Sequence, residues 1–315
     1  MFRYDFSLDM YTDNANADII GRIENSSKIL EFGSANGRMT KYLKEQKQCL
    51  VDIIEIDKEA GQCAAVYANK ACLGAEDGDI NGKRWQEILQ GNKYDVIVFA
   101  DVLEHLIDPL DVLKRSRSFL KEEGRILCSI PNIAHASVIL GLINGQFEYS
   151  DNGLLDRTHI HFFTEESFKR LANNAGYCIA YEHSILGKVG TIEIPYTYDT
   201  VSKDVQRVLM NRVNNEAYQY IFELKNNILG EAQENVFNLI PGKVGEMKCY
   251  VKESEDSDFC EQKCISKRIY SQHVEVDLDI SSYSNVRAIR VQLLDTNGIV
   301  KINYIGEKDN IKFTT

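Results

Sequence analysis

The sequence has 315 residues, of which 44% are hydrophobic and 26% charged, and its formal net charge is −11. This composition is typical of a globular protein with a sizeable core, and the negative charge argues against broad binding to nucleic acids or anionic membranes. Residues 1–16 are polar and no apolar run is long enough to span a bilayer. We therefore predict a cytoplasmic protein with no signal peptide and no membrane insertion.

The eight cysteines mostly stand singly within apolar segments, a placement typical of buried free thiols in a reducing compartment. Cys260 and Cys264 form one C-x3-C pair without a partner pair, so we interpret the spacing as incidental. The cysteines therefore predict neither a disulfide framework nor a zinc site.

Short apolar runs alternate with helical patterns in the first half of the chain. Strands are predicted at 29–32, 50–57, 94–101 and 124–130, a further strand edge at 77–79, and helices at 15–23, 39–45, 59–69 and 109–120. This alternation predicts a parallel sheet with helices on both faces, and the nearly continuous apolar runs are typical of strands buried on both sides.

The pattern loosens after residue 131. A helix is predicted at 136–143, and another begins after Thr164 and ends at Gly176. A strand at 177–185 and a helix at 201–213 follow. Residues 217–224 either continue that helix or, as their aromatic and β-branched content favours, form a last strand paired with 177–185.

From about residue 230 the chain changes character. Short strands are predicted at 246–251, 269–278, 286–294 and 299–305, with turns between them and no clear helix. We therefore predict two domains, a larger α/β domain at 1–229 and a small antiparallel β accessory domain at 230–315.

The first strand runs into a glycine-rich turn, Ile-Leu-Glu-Phe-Gly-Ser-Ala-Asn-Gly at 29–37, and then into a helix. Gly33 permits the turn and Gly37 permits close approach to the main chain; a strand, turn and helix in this order form a nucleotide-sized cradle. Glu31 would repel a pyrophosphate, which favours a cationic ligand such as S-adenosylmethionine over a dinucleotide. The spacing alone fits a tight turn in any α/β protein equally well.

Acids stand where predicted strands end. Glu31, Glu55 and Asp79 lie at the carboxyl ends of three successive predicted strands, and Asp101 lies at the end of the next strand. Ligands of open parallel sheets bind at this edge. Glu55 is placed to accept hydrogen bonds from both hydroxyls of a ribose. Asp79 is placed to accept a hydrogen bond from the amino group of an adenine. The alternative is that these acids cap helices or face solvent.

Several ordered motifs resemble the class I S-adenosylmethionine-dependent methyltransferases. They are the segments 29–37, 54–57 and 94–109, although Ala35 stands where many relatives have glycine. The segments 130–135, 145–149 and 153–164 resemble, more narrowly, the bacterial subgroup associated with cell-surface polysaccharide and glycan modification. The resemblance implies a Rossmann-like sheet of seven strands, the last antiparallel, with S-adenosylmethionine as cofactor.

The resemblance also implies roles for individual residues. The methionine end of the cofactor is assigned to Glu31, Gly33 and Gly37, the ribose to Glu55 and Asp57, the adenine to Asp79 and Ile80, and the inner wall to Ala100 and Asp101; Ser34 and Ile56 are assigned to cofactor binding as well.

Transfer to a hydroxyl needs a base, and histidine titrates in the useful range. The candidates are His105, His135, His159 and His161. We favour His159, with Asp156 or Asp101 as its orienting partner; the alternative is that His159 only ties down its loop. His105 either lines the pocket or caps a turn.

A metal site is the less favoured interpretation of the same region. His159 and His161, with Asp156 and Glu104, carry donor atoms, but a tight site needs three or four ligands in suitable geometry. We therefore predict no metal.

The predicted activity is methyl transfer from S-adenosylmethionine to a hydroxyl of a sugar or glycan precursor. The alternatives are a small aromatic or lipid-like acceptor, and a non-catalytic binding or scaffold protein that keeps the fold; a dehydrogenase is disfavoured by Glu31. The predicted partners are a small-molecule or glycan substrate and, as a hypothesis for assembly, a second copy of the chain.

Overall fold

The computed structural model describes residues 14–227, 245–253, 264–269 and 286–294. The chain divides into two compact units, one of residues 1–210 with 214–236 and one of residues 211–213 with 237–315. The predicted boundary between residues 229 and 230 lies outside the described residues and stays a prediction. No helix among the described residues has the length and apolarity that crossing a membrane requires.

The first unit contains one seven-stranded sheet. Its strands are β1 (Lys28–Phe32), β2 (Leu50–Glu55), β3 (Lys70–Leu73), β4 (Tyr94–Ala100), β5 (Leu120–Pro131), β6 (Tyr177–Leu186) and β7 (Ala217–Asn226). The order is β3-β2-β1-β4-β5-β7-β6. The pairs from β3 to β5 are parallel, whereas β7 is antiparallel to both β5 and β6. The predicted Rossmann-like sheet with an antiparallel last strand is confirmed.

Helices connect these strands. They are α1 (Asn14–Gly21), α2 (Arg38–Lys47), α3 (Lys58–Ala65), α4 (Gly74–Asp77), α5 (Arg84–Ile88), α6 (Pro109–Ser116), α7 (Ala136–Ile143), α8 (Glu165–Asn174) and α9 (Lys203–Met210). Thr164 caps α8 as predicted: its hydroxyl accepts from the N–H of Ser167, and the Ser167 hydroxyl accepts in return from the N–H of Thr164.

The core covers the sheet with two separate clusters of buried side chains. One contains the stacked rings of Phe32 and Phe99, whose centroids are 4.4 Å apart, with Trp85 packed edge-on against Phe32. The other is aliphatic and includes Ile29 and Val98. Successive residues of β1 and β4 thus enter different clusters, which is why these strands are apolar at nearly every position.

Two sequence predictions need correction. The third strand is β3, at Lys70–Leu73, and its first two residues are exposed, so it lacks the apolar run by which strands were recognised. Asp79 therefore does not end a strand; it lies beyond α4. Residues 217–226 form strand β7, which pairs with β6, so the favoured prediction of a last strand for this segment is confirmed.

The second unit contains a three-stranded antiparallel sheet in its described residues. The strands are β8 (Gly245–Lys252), β9 (Cys264–Ile269) and β10 (Ala288–Leu294), in the order β10-β8-β9. Strands were predicted near the first and the last of these segments. The predicted strand at 299–305 and most of that at 269–278 lie outside the described residues.

Candidate functional site

The turn after β1 contains two glycines in the left-handed backbone region. Gly33 has a φ of 69° and Gly37 a φ of 87°. A Cβ on Gly37 would lie 2.5 Å from Cα of Ala64 in α3, and one on Gly33 would lie 2.7 Å from Cγ2 of Val102. The close approach predicted at Gly37 is therefore made by helix α3, which only glycine permits here.

Glu31 of β1 is 4% exposed. The hydroxyl of Thr40 in α2 donates to its Oε2 at 2.7 Å. Burial raises the pKa of Glu31 to about 7; the Thr40 hydrogen bond opposes this rise and the charge of Glu55 adds to it. A cation nearby would favour the ionised form again, so this carboxylate is suited to a positively charged ligand.

Glu55 connects the end of β2 to the glycine turn. Its Oε2 accepts from the N–H of Ala35 at 2.7 Å and its Oε1 from the N–H of Asp57 at 2.8 Å. Burial raises the pKa of Glu55. Asp57 caps α3 by accepting at Oδ1 from the N–H groups of Glu59 and Ala60. Each carboxylate oxygen can accept a further hydrogen bond, so both residues can still bind ribose hydroxyls.

Ile56, next to this turn, and Ser34, within it, suit a ligand for different reasons. Ile56 is 56% exposed, although it is apolar. Ser34 is 4% exposed, and its Oγ has no hydrogen-bond partner within the described part of the chain. A buried hydroxyl without a partner is uncommon and is satisfied when a ligand supplies one. The residues present therefore fit a ligand with both apolar and polar groups, as adenosine derivatives have.

Asp79 and Ile80 lie in a loop that internal hydrogen bonds hold in place. Oδ1 of Asp79 accepts from the N–H of Asn81 at 3.0 Å. The carbonyl of Ile80 accepts from the indole N–H of Trp85 at 3.1 Å, and Oδ1 of Asn81 accepts from the N–H of Ile107 at 2.8 Å. The loop is thus fixed to the segment after β4 even though no strand ends in it.

Asp101 follows Ala100 at the end of β4 and has a φ of 53°, a conformation that costs energy for a residue with a Cβ. The hydroxyl of Ser129 donates to its Oδ1 at 2.9 Å, and the amide of Gln219 donates to the same oxygen. Residues of β5 and β7 therefore hold this carboxylate in a strained position, which is typical of functional sites.

His159 is 9% exposed, and its Nδ1 lies 3.3 Å from the carbonyl oxygen of Leu154. Because a carbonyl only accepts, Nδ1 carries the hydrogen, and Nε2 of the neutral ring has the lone pair. Nε2 lies 3.9 Å from Oε1 of Glu104. Asp156, one of the predicted orienting partners, accepts at Oδ1 from the N–H and the hydroxyl of Thr158, so it shapes the loop that carries His159.

Glu104, which the sequence suggested only as a donor of a possible metal site, lies next to His159. It is 1% exposed, and neither carboxylate oxygen has a hydrogen-bond partner among the described residues. Burial, and then the charges of Asp101 and Asp156, raise its pKa well above the usual range. Its backbone carbonyl accepts from the N–H groups of Ile160 and His161, both at 3.0 Å. These long-range contacts leave no signal in the sequence.

His105 completes a cluster with Glu104 and His159. Its Nδ1 lies 3.1 Å from the carbonyl oxygen of Thr158, and its ring centroid lies 4.8 Å from that of His159. The donor atoms of Glu104, His105 and His159 lie within 4.8 Å of one another, so these three described residues could hold a metal ion.

The other two candidate histidines stabilise local structure. His135 is fully buried and caps α7: its Nδ1 accepts from the N–H of Ser137, and its Nε2 donates to the carbonyl of Gly187 at 2.6 Å. Nε2 of His161 lies 3.2 Å from the carbonyl oxygen of Ile107. His159 therefore remains the favoured base.

The family model described as "Methyltransferase domain" matches residues 11–182. The chain belongs to this methyltransferase family. S-adenosylmethionine, predicted from the sequence motifs, is the cofactor of this methyltransferase. The matched region contains the glycine turn, the predicted cofactor residues and the cluster around His159.

Relatives of this methyltransferase differ widely in sequence. The ubiquinone biosynthesis O-methyltransferase of Histophilus somni is 28% identical over 120 residues, which cover 36% of this chain and 50% of that protein. The chain thus spans about half the length of this curated relative. A SAM-dependent methyltransferase from Archaeoglobus fulgidus is 17% identical, with a TM-score of 0.48 over 67% of this chain and 90% of that one. The magnesium protoporphyrin IX methyltransferase of Synechocystis, solved with bound SAH, is 16% identical. Its TM-score is 0.42 over 67% of this chain and 80% of that one.

Proposed function

We propose that this methyltransferase transfers the methyl group of S-adenosylmethionine to a hydroxyl of a sugar or glycan precursor. The observation that carries the proposal is the state of His159, whose Nδ1–H is held by the carbonyl of Leu154 while Nε2 faces the buried carboxylate of Glu104. A histidine held in this tautomer can take a proton from an acceptor hydroxyl.

The residues proposed to hold the cofactor lie along the turn and the strand ends. The methionine end is assigned to Glu31, Gly33, Ser34 and Gly37, the ribose to Glu55, Ile56 and Asp57, the adenine to Asp79 and Ile80, and the inner wall to Ala100 and Asp101. The Ser34 hydroxyl, which has no hydrogen-bond partner among the described residues, and the exposed face of Ile56 support this assignment.

S-adenosylmethionine supplies, when bound, an electrophilic methyl group on a sulfonium. The chain's own residues align the acceptor oxygen with that group and remove its proton. Nε2 of His159 would take the proton of the acceptor hydroxyl, which would leave a more nucleophilic oxygen for the methyl group that the cofactor supplies. Glu104, 3.9 Å from Nε2, would stabilise the imidazolium that results. In this proposal the carbonyl of Leu154, rather than Asp156 or Asp101, orients the ring.

A sugar acceptor is supported by the motifs at 130–135, 145–149 and 153–164, which resemble the glycan-modifying subgroup. A second candidate, a small aromatic or lipid-like acceptor, is supported by the similarity to the ubiquinone biosynthesis O-methyltransferase.

Two measurements test the proposal. Calorimetry of the full chain with S-adenosylmethionine is expected to show binding; absence of binding at millimolar cofactor would favour a scaffold protein. Release of S-adenosylhomocysteine is then followed with two panels of acceptors, monosaccharides and phenols of similar size. Turnover confined to the phenols would replace the sugar proposal with the second candidate.

A further inference from the structure

A cavity of about 150 Å³ lies between α7 and two segments, 146–150 and 193–196. Aromatic side chains form part of its wall. Phe147 and Tyr149 are 37% and 55% exposed, and their rings pack edge to face with centroids 5.5 Å apart. Tyr196 lines the cavity from the other segment and packs against Gly141, where a Cβ would lie 2.9 Å from its ring. A cavity of this volume accommodates a single six-membered ring.

Aromatic contacts connect this cavity to the proposed base. The ring of Phe147 lies 5.9 Å from that of Phe162, which in turn lies 6.2 Å from the ring of His159. Leu155 lines the cavity, and the carbonyl of the preceding residue, Leu154, holds Nδ1 of His159. One aromatic side chain, Phe162, therefore lies between the cavity wall and the ring of His159.

The charge of the cavity is negative. Glu148 and Glu193 are among its lining residues, and none of the lining residues is Lys or Arg. Arg157, in the same part of the chain, is paired with Asp151 at 2.9 Å. An anionic ligand would thus meet two carboxylates without a lining cation.

Glu193 is held in place by the loop that carries the proposed base. Its Oε1 accepts from the N–H of Leu154 at 2.8 Å and from the hydroxyl of Tyr218 at 3.1 Å. Gly153 has a φ of 89°, and a Cβ there would lie 2.0 Å from the same oxygen. These contacts therefore hold the carboxylate of Glu193 in a fixed position at the cavity.

We propose that this cavity binds the methyl acceptor, and that it selects a single neutral or amine-bearing ring and rejects rings that carry a carboxylate or phosphate. The inference rests on the proposed function and adds the charge class of its substrate. The aromatic wall contacts the apolar face of the ring, whereas the two carboxylates accept hydrogen bonds from hydroxyl or ammonium groups and repel anions.

Calorimetry of the full chain, saturated with S-adenosylhomocysteine, tests the charge preference with three matched rings: glucose, glucosamine and glucuronate. We expect glucosamine to bind at least as tightly as glucose and glucuronate about tenfold more weakly, with the gap narrowing as salt is added. The double variant Glu148→Gln with Glu193→Gln should reduce the gap to within about threefold, because glutamine keeps the hydrogen-bonding oxygen without the charge. Glu122→Gln, exposed on β5, serves as the matched control.

A second variant separates shape from charge. Tyr149→Ala should weaken all three sugars by a similar factor and leave their order unchanged. Equal binding of glucose and glucuronate, a gap that persists in the double variant, or absence of binding by all three sugars would overturn the inference. Release of S-adenosylhomocysteine is measured separately: sugar turnover without the charge preference would overturn the inference alone, whereas absence of turnover with every hydroxyl acceptor would overturn the proposed function.

Discussion

Oε1 of Glu104 lies 3.9 Å from Nε2 of His159, and both side chains are almost fully buried, with exposures of 1% and 6%. Little solvent reaches either group, so their interaction is weakly screened and a charge on one strongly affects the other. The two groups are therefore expected to titrate as a pair, and this pair is the centre of the proposed chemistry.

The role of His159 as base predicts a specific loss of turnover. Asparagine at this position can still donate to the carbonyl of Leu154 but cannot accept a proton. We expect His159→Asn to lower kcat by about 10² to 10⁴ while calorimetry shows unchanged cofactor affinity. His161→Asn, two residues along the same loop, is the matched control and should remain within a few-fold of the original chain. If His159→Asn turns over normally, the assignment is wrong.

The variant Glu104→Gln is expected to lower activity and, at higher pH, to raise stability relative to the original chain. Glutamine cannot become negatively charged when Nε2 takes a proton, so kcat should fall by about tenfold or more, as removal of support for a general base does. The folded-state pKa of Glu104 is raised by burial, so the folded chain keeps a proton that the unfolded chain has lost, and stability falls as pH rises above the ordinary carboxyl range. The variant lacks this titration, so its stability relative to the original chain should increase from pH 5 to pH 8 in urea unfolding. A constant difference between the two chains would contradict this account.

Glu31 predicts how cofactor affinity depends on pH. Its pKa of about 7 means that the carboxylate is largely protonated at pH 6 and ionised at pH 8. A cationic ligand favours the ionised form, so S-adenosylmethionine should bind about tenfold more tightly at pH 8 than at pH 6. Glu31→Gln should weaken binding at pH 8 and remove most of this dependence. Glu59→Gln, an exposed residue of α3, should leave the dependence unchanged.

The same residue predicts a pH effect on the cofactor-free chain. Because the folded-state pKa of Glu31 is raised, its contribution to stability is lost as pH rises from about 4.5 to about 7. The loss is on the order of 3 kcal/mol. Urea unfolding of the original chain and of Glu31→Gln gives the free energy of unfolding at pH 5 and pH 8. The change between the two pH values should be larger in the original chain, and an equal change in both chains would contradict this prediction.

Gly37 and Gly91 form a matched pair for the glycine turn. Both have left-handed φ angles, of 87° and 81°, but a Cβ on Gly37 would meet Cα of Ala64 at 2.5 Å, whereas one on Gly91 would meet nothing within 4 Å. Gly91→Ala should therefore cost only the backbone strain, about 1 kcal/mol, and Gly37→Ala about 3 kcal/mol, because overpacking adds to it. Equal costs in denaturant unfolding would show that α3 can move away from the turn.

Most strands of the sheet and the glycine turn could be predicted from the sequence because they depend on local patterns, and the cofactor was predicted from motifs that resemble a methyltransferase family. Apolar runs identify β1, β2, β4 and β5, and the turn at 33–37 needs glycine for reasons confined to its own backbone and closest neighbour. Strand β3 was missed because its first residues are exposed at the edge of the sheet, so it has no apolar run. Asp79 was misplaced as a consequence.

The neighbours of His159 and their burial could be read only from the folded structure. Glu104 reaches it because the Glu104 carbonyl accepts from the N–H groups of Ile160 and His161, and backbone hydrogen bonds of this kind are not encoded in side-chain spacing. The same holds for Glu193, which the N–H of Leu154 brings to the acceptor cavity. A carboxylate's charge can be read from the sequence, but its burial and its neighbours, which set its pKa and its chemical role, exist only once the chain has folded.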